Sequence, residues 1–318
     1  MKKWCMSLVL TGCFLNGWCW GFYGHRLINY QAVFLLPPEL IAFYKPNIEF
    51  ITAHAVDPDK RRYAVAEEGP RHYIDIDRYA GSVVPRSWSK AVQKFSKDTL
   101  QAHGIVPWWI QVMLQRLTRA FRERDVGAIL KMSAETGHYI GDAHVPLHTS
   151  SNHNGQFTNQ HGIHGFWESR IPEIFAETEW DLLSSKAVYL KNPLDFTWNR
   201  IYESAIASDS VLRVEKILSE RFTPDRKYAF EERNGVIIKQ YSTAYSSGYN
   251  EMLNGMIERR MRESIFAVAS FWYTAWVNAG QPDLKNFVKK EISPDEKLEF
   301  ETLEMKWKDG RVKGRACD

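Results

Sequence analysis

The chain has 318 residues, of which 44% are hydrophobic and 14% aromatic, and this composition predicts a globular protein and excludes a largely disordered one. The formal net charge is +3, and it falls to +1 when Lys2 and Lys3 of an N-terminal leader are removed. Such a small charge excludes a strongly basic surface for polyanions, so any nucleic-acid binding has to be local.

The N-terminal stretch MKKWCMSLVLTGCFLNGWCW begins with a basic start and continues with an apolar segment too short to span a bilayer. Gly17 and Cys19 occupy the small-residue positions that precede a cleavage site. We therefore predict a signal peptide over residues 1–19, a mature chain that begins at Trp20, and a secreted or periplasmic protein without a transmembrane segment. A second-ranked alternative is lipidation of Cys13 in the lipoprotein-like sequence LTGC, whose preceding apolar stretch is very short.

Cysteine usage adds a constraint on how the mature chain is stabilised. Cys5, Cys13 and Cys19 lie in the predicted leader, so the mature chain keeps Cys317 alone. An exported chain of this size without intramolecular disulfides has to rely on its core, on metal, or on both.

Apolar residues recur with a helical period over most of the mature chain. The predicted helical segments are 29–46, 107–143, 167–176, 203–221, and a long packed helix with a buried stripe from Leu253 to Ala275, closed by Gly280 and Pro282. No run of alternating residues predicts strands, and no repeat or flexible linker divides the chain. The sequence thus predicts one all-α domain, a multi-helix bundle over residues 20–284, followed by a charged tail over residues 285–318.

Histidines and carboxylates four residues apart mark two candidate metal sites, because such pairs share one face of a helix. In ETGHYIGDAHVPLH, His138 and Asp142 continue a helical row whose two earlier positions are apolar, so both are predicted to point inward. His164 and Glu168 repeat the spacing in HGFWE, and His148 follows the proline at which the first helix must end. A lone buried histidine is usually structural, but this combination favours zinc, which prefers imidazole and carboxylate ligands.

Further imidazoles and carboxylates lie upstream and between these pairs. The upstream candidates are His25 in WGFYGH, then His54, Asp57 and Asp59 in HAVDPDKRRY, then His72, Asp75 and Asp77 in RHYIDID. Asp59 is an alternative to Asp57 in a shifted alignment, while Asp75 and Asp77 are candidate acceptors for the N–H of a ligand imidazole.

Four other residues carry a structural and a functional interpretation. His144, between two ligands, is interpreted as a packing residue or as one that supports a ligand from behind. His153 and His161 are interpreted as residues at the rim of the site, in the polar loop SSNHNGQFTNQHG. Tyr73 either packs or provides a surface on which a base stacks.

These motifs, in this order, resemble the zinc-dependent phospholipases C and the single-strand-specific zinc nucleases of fungi and plants, which share one helical fold around three zinc ions. The resemblance runs from Trp20 to about Glu168. It implies three Zn²⁺ ions held by the following residues: Asp57, His72, His138 and Asp142 for one ion, His148, His164 and Glu168 for the second, and Trp20, His25 and the bridging Asp142 for the third. Family enzymes begin with a tryptophan whose amino nitrogen and carbonyl oxygen bind zinc, and the cleavage predicted before Trp20 agrees with this.

The resemblance does not settle the substrate. The spacings among the first implied ligands resemble those of the nucleases, whereas Glu168 and the short gap from His148 to His164 resemble the phospholipases. Residues 185–250 match neither type. Nucleic acid and phospholipid therefore both stay open as the phosphodiester substrate.

The implied site suits phosphodiester hydrolysis. Three Zn²⁺ ions and three carboxylates leave about three positive charges, which favour a transition state that gathers negative charge on its oxygens. Zinc lowers the pKa of bound water to about 7, so attack by a zinc-bound hydroxide is expected, with Asp57 orienting the nucleophile. We expect a secreted zinc-dependent phosphodiester hydrolase, a nuclease or nucleotidase ahead of a phospholipase C.

A non-catalytic helical protein with structural zinc is the alternative from another class. Structural zinc normally has four protein ligands, whereas the second implied site offers three and leaves a position open.

Overall fold

Helices form most of the protein in a computed structural model that describes residues 21–79, 81–233, 235–285 and 290–313. The α-helices are α1 (Phe22–Val33), α2 (Pro38–Tyr44), α3 (Ile48–Ala53), α4 (Asp57–Arg61), α5 (Trp88–Phe95), α6 (Lys97–His103), α7 (Val106–Glu123), α8 (Val126–His144), α9 (Ile163–Gly165), α10 (Ile171–Phe175), α11 (Pro193–Ser219), α12 (Pro224–Lys227), α13 (Thr243–Met252), α14 (Met256–Asn278) and α15 (Pro294–Lys308). Tighter 3₁₀ turns lie at Lys45–Asn47, His54–Val56, Ala66–Arg71, Ile76–Tyr79 and Pro146–Thr149, and a wider π turn at Phe166–Arg170. This architecture confirms the predicted all-α fold class.

Helices α7 and α8 form an antiparallel pair whose connection is encoded locally. Proline at position 107 is tolerated in the first turn of α7, where its missing N–H has no partner to lose. The helix ends at Arg124, which adopts a left-handed φ of 56°. The Asp125 side chain then accepts a hydrogen bond of 3.0 Å from the N–H of Ala128 and so caps the start of α8.

Helix α8 lies at the centre of the core, in contact with α1, α3, α7, α11 and α14. Every residue from 133 to 144 is buried, including the polar pair that the helical period predicted to point inward. The indole N–H of Trp272 on α14 donates to the carbonyl of Ser133 at 3.0 Å, which fixes the two central helices against each other.

Two glycines of α8 allow α1 to approach closely. A Cβ atom at Gly137 would lie 1.9 Å from the Asn29 side-chain oxygen, and one at Gly141 would lie 3.1 Å from Nδ1 of His25. Because glycine has no side chain, α1 can bring its histidine directly over α8.

A small β-hairpin departs from the prediction of no strands. Strands β1 (Tyr228–Arg233) and β2 (Val236–Tyr241) pair antiparallel, with Tyr228 opposite Tyr241. The Tyr241 ring stacks at 3.9 Å on Phe166, and Arg170 donates to Glu231 at 2.9 Å. The hairpin therefore packs on the segment that carries Glu168.

Part of the predicted charged tail is a docked helix. Helix α15 begins with a capping box, in which the Ser293 side chain and the Glu296 side chain each accept from the other residue's backbone N–H. It packs against α4, with Leu303 buried. Among the described residues, no helix is both long and apolar enough to cross a membrane.

Candidate metal centre

Helix α8 supplies the centre of the site. His138 and Asp142 are fully buried one turn apart, with His138 Nε2 at 3.4 Å from an Asp142 carboxylate oxygen. The other ring nitrogen, Nδ1 of His138, lies 2.9 Å from the carbonyl of Ala55. A proton on Nδ1 would be bonded there, which leaves the lone pair of Nε2 directed at the interior of the site.

Two further histidines converge on this pair. His25 from α1 stacks its ring on that of His138 at 3.9 Å and places Nε2 at 3.4 Å from Asp142. His72, at the end of the 3₁₀ turn 66–71, places Nδ1 at 2.9 Å from Asp142 and 3.0 Å from Nε2 of His138.

The structure brings Asp59 to this group and does not bring Asp57. One Asp59 oxygen lies 3.7 Å from His72 Nδ1 and 3.7 Å from His138 Nε2. Asp57 instead pairs at 2.7 Å with Nδ1 of His54 on the preceding turn. We call the set His25, Asp59, His72, His138 and Asp142 the first cluster; its atoms form two overlapping triads that share His138.

A separate triad forms what we call the second cluster, which consists of His148, His164 and Glu168. The Nε2 atoms of the two histidines lie 3.2 Å apart, and His164 Nε2 lies 3.0 Å from Glu168. The Nδ1 atoms of both rings face backbone carbonyls, those of His72 at 2.6 Å and His153 at 3.1 Å. Both imidazoles are thus oriented to present Nε2. Glu168 lies in the π turn, an irregularity that is frequent at functional sites.

The two clusters are joined through the backbone. While His148 Nδ1 bonds to the carbonyl of His72, the N–H of Ile74 donates to the carbonyl of His148 at 2.9 Å. The segment that carries one ligand of the first cluster therefore positions one of the second.

Buried polar atoms without hydrogen bonds show that these residues fit cations. Within the described ranges, several buried atoms have no hydrogen-bond partner: both carboxylate oxygens of Asp59 and of Glu168, one carboxylate oxygen of Asp142, and both ring nitrogens of His25. Buried polar atoms without hydrogen bonds are unfavourable, and a bound cation would compensate them. Imidazole nitrogens and carboxylate oxygens in threes are the donor set that zinc prefers.

The pKa shifts have the same physical origin. Burial opposes ionisation of Asp142 and Glu168, but the neighbouring histidines outweigh it and hold the pKa of both carboxyls below their usual values. Burial also lowers the pKa of His25. For His72, the nearby carboxylates of Asp142 and Glu68 outweigh burial and raise the pKa to about 9. The carboxylates are therefore anionic, and the site attracts positive charge.

Glu68 is a buried residue that the sequence reasoning did not single out. Its Oε1 lies 3.6 Å from Nε2 of His72, on the side away from the first cluster. Arg61, Arg71 and Tyr139 also donate to this carboxylate. Glu68 faces the second nitrogen of a ligand imidazole, which is the position predicted for Asp75 and Asp77. The spacing of four residues between Glu68 and His72 was the sequence signal that could have indicated this contact.

The Asp77 carboxylate takes another partner, since it accepts from the backbone N–H of Ser151 at 2.9 Å. The backbone N–H of Asp75 donates to the carbonyl of His103, and the role of the Asp75 carboxylate stays a prediction.

A small cleft borders His72 of the first cluster and both histidines of the second, and it is also lined by Arg62, Tyr73 and His153. Arg62 is buried beside Asp59, at 3.9 Å, and the sequence reasoning missed it. His153 lies at the rim as predicted, whereas His161 is exposed. His144 is buried beneath the site, where its Nδ1 lies 2.7 Å from the carbonyl of Ile140.

Comparison with known proteins decides the family. A sequence model of the S1/P1 nuclease family matches residues 20–264, which is most of the chain. The chain belongs to the S1/P1 nuclease family. No curated protein matches it.

Membership of the S1/P1 nuclease family confirms the resemblance drawn from the motifs, since this is a trinuclear zinc phosphodiesterase family related to zinc phospholipase C. The protein is accordingly a zinc-dependent phosphodiester hydrolase, and its three buried triads fit three metal sites. Trp20, the predicted first residue of the mature chain, lies outside the described residues.

Proposed function

We propose that this S1/P1 family member hydrolyses phosphodiester bonds in single-stranded nucleic acid, with three zinc ions held by the two clusters. The observation that carries the proposal is the cleft that borders the clusters, in which a cation and an aromatic ring lie beside the metal-binding residues. Arg62 provides a guanidinium suited to a phosphate oxygen, and Tyr73 provides a ring on which a base stacks.

The proposed ligand assignment combines the family resemblance with the residues of the two clusters. His72, His138, Asp142 and Asp59 would hold one ion, and His148, His164 and Glu168 the second. Asp59 replaces Asp57 in this proposal, both as a ligand and as the carboxylate that orients the nucleophile, because the Asp57 carboxylate is directed at His54. The third ion would take His25, the shared Asp142 and the terminal Trp20.

Each residue has a part in the chemistry. Bound zinc supplies Lewis acidity and makes water acidic enough to ionise near neutral pH. The cluster carboxylates hold the site anionic before loading, and Arg62 adds positive charge where negative charge develops on the phosphate. The carbonyls of His72 and His153 keep the second-cluster imidazoles in a fixed orientation.

The test compares substrates on one preparation. Zinc-loaded protein beginning at Trp20 is assayed with single-stranded DNA, RNA and phosphatidylcholine vesicles in parallel, with Asp142→Asn as the inactive control. We expect hydrolysis of nucleic acid. Hydrolysis of phosphatidylcholine alone would make the protein a phospholipase C, and no hydrolysis at full zinc content would favour structural zinc.

We also propose that export and removal of residues 1–19 complete the site. The family match begins at Trp20, and the N–H of Gly21 donates to Ser169, the neighbour of Glu168, at 3.1 Å. A free α-amino group, with a pKa of about 7.7 to 8.0, can give up its proton to a metal, whereas an amide nitrogen cannot. A form extended before Trp20 should therefore bind one zinc ion fewer by elemental analysis and hydrolyse slowly. Full zinc content in the extended form would contradict this assignment.

A further inference from the structure

Residues 290–313, which we call the C-terminal strap, lie beyond the family match at 20–264. The strap nevertheless contacts a helix that carries a residue of the first cluster. That helix is α4, which carries Asp59 and is followed directly by Arg62. It has five residues, too few to be stable alone, because helix nucleation costs more than one turn of hydrogen bonds returns. Its orientation has to be fixed by its neighbours.

The strap holds the turn that follows α4. The backbone N–H of Lys313 donates to the carbonyl of Arg62 at 2.9 Å, and its Nζ donates to the carbonyl of Ala64 at 3.0 Å. The N–H groups of this same turn bond to the last carbonyls of α4, so a contact that fixes the turn also fixes the end of the helix.

Side chains of α15 pack against one side of α4. Lys60, the neighbour of Asp59, pairs with Glu304 at 2.8 Å, with the lysine largely buried. The Trp307 ring packs at 5.1 Å on Phe22, at the start of α1, and lies 6.0 Å from Nζ of Lys60.

The strap also reaches the turn that precedes α4. The Phe300 ring lies 3.9 Å from that of His54, the residue whose Nδ1 bonds to Asp57. One side of α4, the turn before it and the turn after it are therefore in contact with residues outside the family match.

We propose that the C-terminal strap is a positioning element of the active site, which fixes α4 so that Asp59 and Arg62 face the first cluster. This inference rests on the proposed function for the role of those two residues. The proposal gives the strap no role in positioning the second cluster, because the residues of that cluster belong to other elements. Loosening the strap should therefore weaken the first cluster selectively.

The test uses full-length variants. Trp307→Ala combined with Lys313→Pro removes the ring contact and the backbone donor, and Glu304→Gln is a milder variant that retains the helix. Met305→Ala is the matched control, because Met305 lies on α15 with 63% of its surface exposed. Zinc affinity is measured by competition with a chelator, together with kcat, KM and hydrogen exchange of residues 54–65.

We expect the double variant to bind the zinc of the first cluster about 10- to 100-fold more weakly, the loss typical when a residue that orients a metal ligand is removed. Its kcat should also fall, and it should retain the ion of the second cluster. Glu304→Gln should show a smaller change in the same direction, and Met305→Ala none. Unchanged zinc affinity in both strap variants would overturn the proposal.

Hydrogen exchange separates this inference from the proposed function. If the wild-type protein hydrolyses no phosphodiester, residues 54–65 should still exchange faster in the strap variants than in Met305→Ala, since α4 loses its neighbours. Equal exchange in all of them would overturn the positioning role regardless of catalysis.

Discussion

Asp57 and Asp59 show how two identical side chains in one short helix acquire different surroundings. Residues two apart on a helix point to nearly opposite sides, so only one of them can face the first cluster. Asp57 pairs with His54, whereas Asp59 lies near two imidazoles without a hydrogen bond to either oxygen among the described residues.

Substitution of each aspartate tests this difference. Asp59→Asn should lose the zinc ion held with His72 and His138 and reduce turnover at least about 100-fold, since a metal ligand and its charge are removed. Asp57→Asn should retain both, with a modest loss of stability from the weakened contact with His54. Zinc content and kcat measured side by side decide the matter; the reverse pattern would restore Asp57 as the ligand.

Glu68 has the geometry of a residue that orients a ligand from behind. Glu68→Gln should weaken zinc binding about 10- to 100-fold, because His72 loses the anion facing its second nitrogen. Glu135→Gln is the matched control, since Glu135 also pairs with Arg61 but makes no described contact with His72. Both variants are titrated with zinc against a competing chelator. Equal affinities in the two would show that the network stabilises the fold without tuning the site.

At the level of elements, the sequence predicted those features that depend on local spacing. His138 with Asp142 and His164 with Glu168 lie four residues apart within one segment, so helical geometry alone places each pair together. The choice between Asp57 and Asp59 was not predictable in this way, because the rotation of α4 depends on contacts with distant parts of the chain.

Other elements were missed for identifiable reasons. The predicted helix 29–46 is divided into α1 and α2, because two prolines at 37 and 38 end the first and begin the second. The hairpin carried a usable signal, the dipeptide Asn234–Gly235 between two apolar stretches, which is typical of a tight turn between strands.

The close contact between α1 and α8 gives a prediction at this scale. Gly137→Ala places a Cβ where the Asn29 oxygen now lies, so α1 has to move and should carry His25 away from Asp142. We expect a loss of about 1–3 kcal/mol in stability, as for an overpacked core, and a lower zinc content. Gly165→Ala is the control, because a Cβ there meets no atom within 4 Å. Thermal unfolding of both variants is the measurement, and equal melting temperatures would contradict the proposed crowding.

For the whole molecule, the metal centre is also a source of stability. Its donors come from α1, α4, α8, α9 and three separate turns, and the unfolded chain cannot hold them together. Binding at 100 times the dissociation constant adds about 2.7 kcal/mol per site. Removal of zinc should therefore lower the melting temperature substantially. Calorimetry before and after verified chelation tests this, and superimposable curves would contradict it.

The two hydrogen bonds between the segments of His72 and His148 have an expected consequence for partial loading. Since an ion in one cluster would restrain the segment that the other cluster needs, we expect occupancy of each to raise the affinity of the other by the same factor. Such coupling makes loading cooperative and depletes half-filled forms. When zinc is scarce, the population then divides into empty and complete molecules, and the supply of metal sets how many enzyme molecules work rather than how fast each one works.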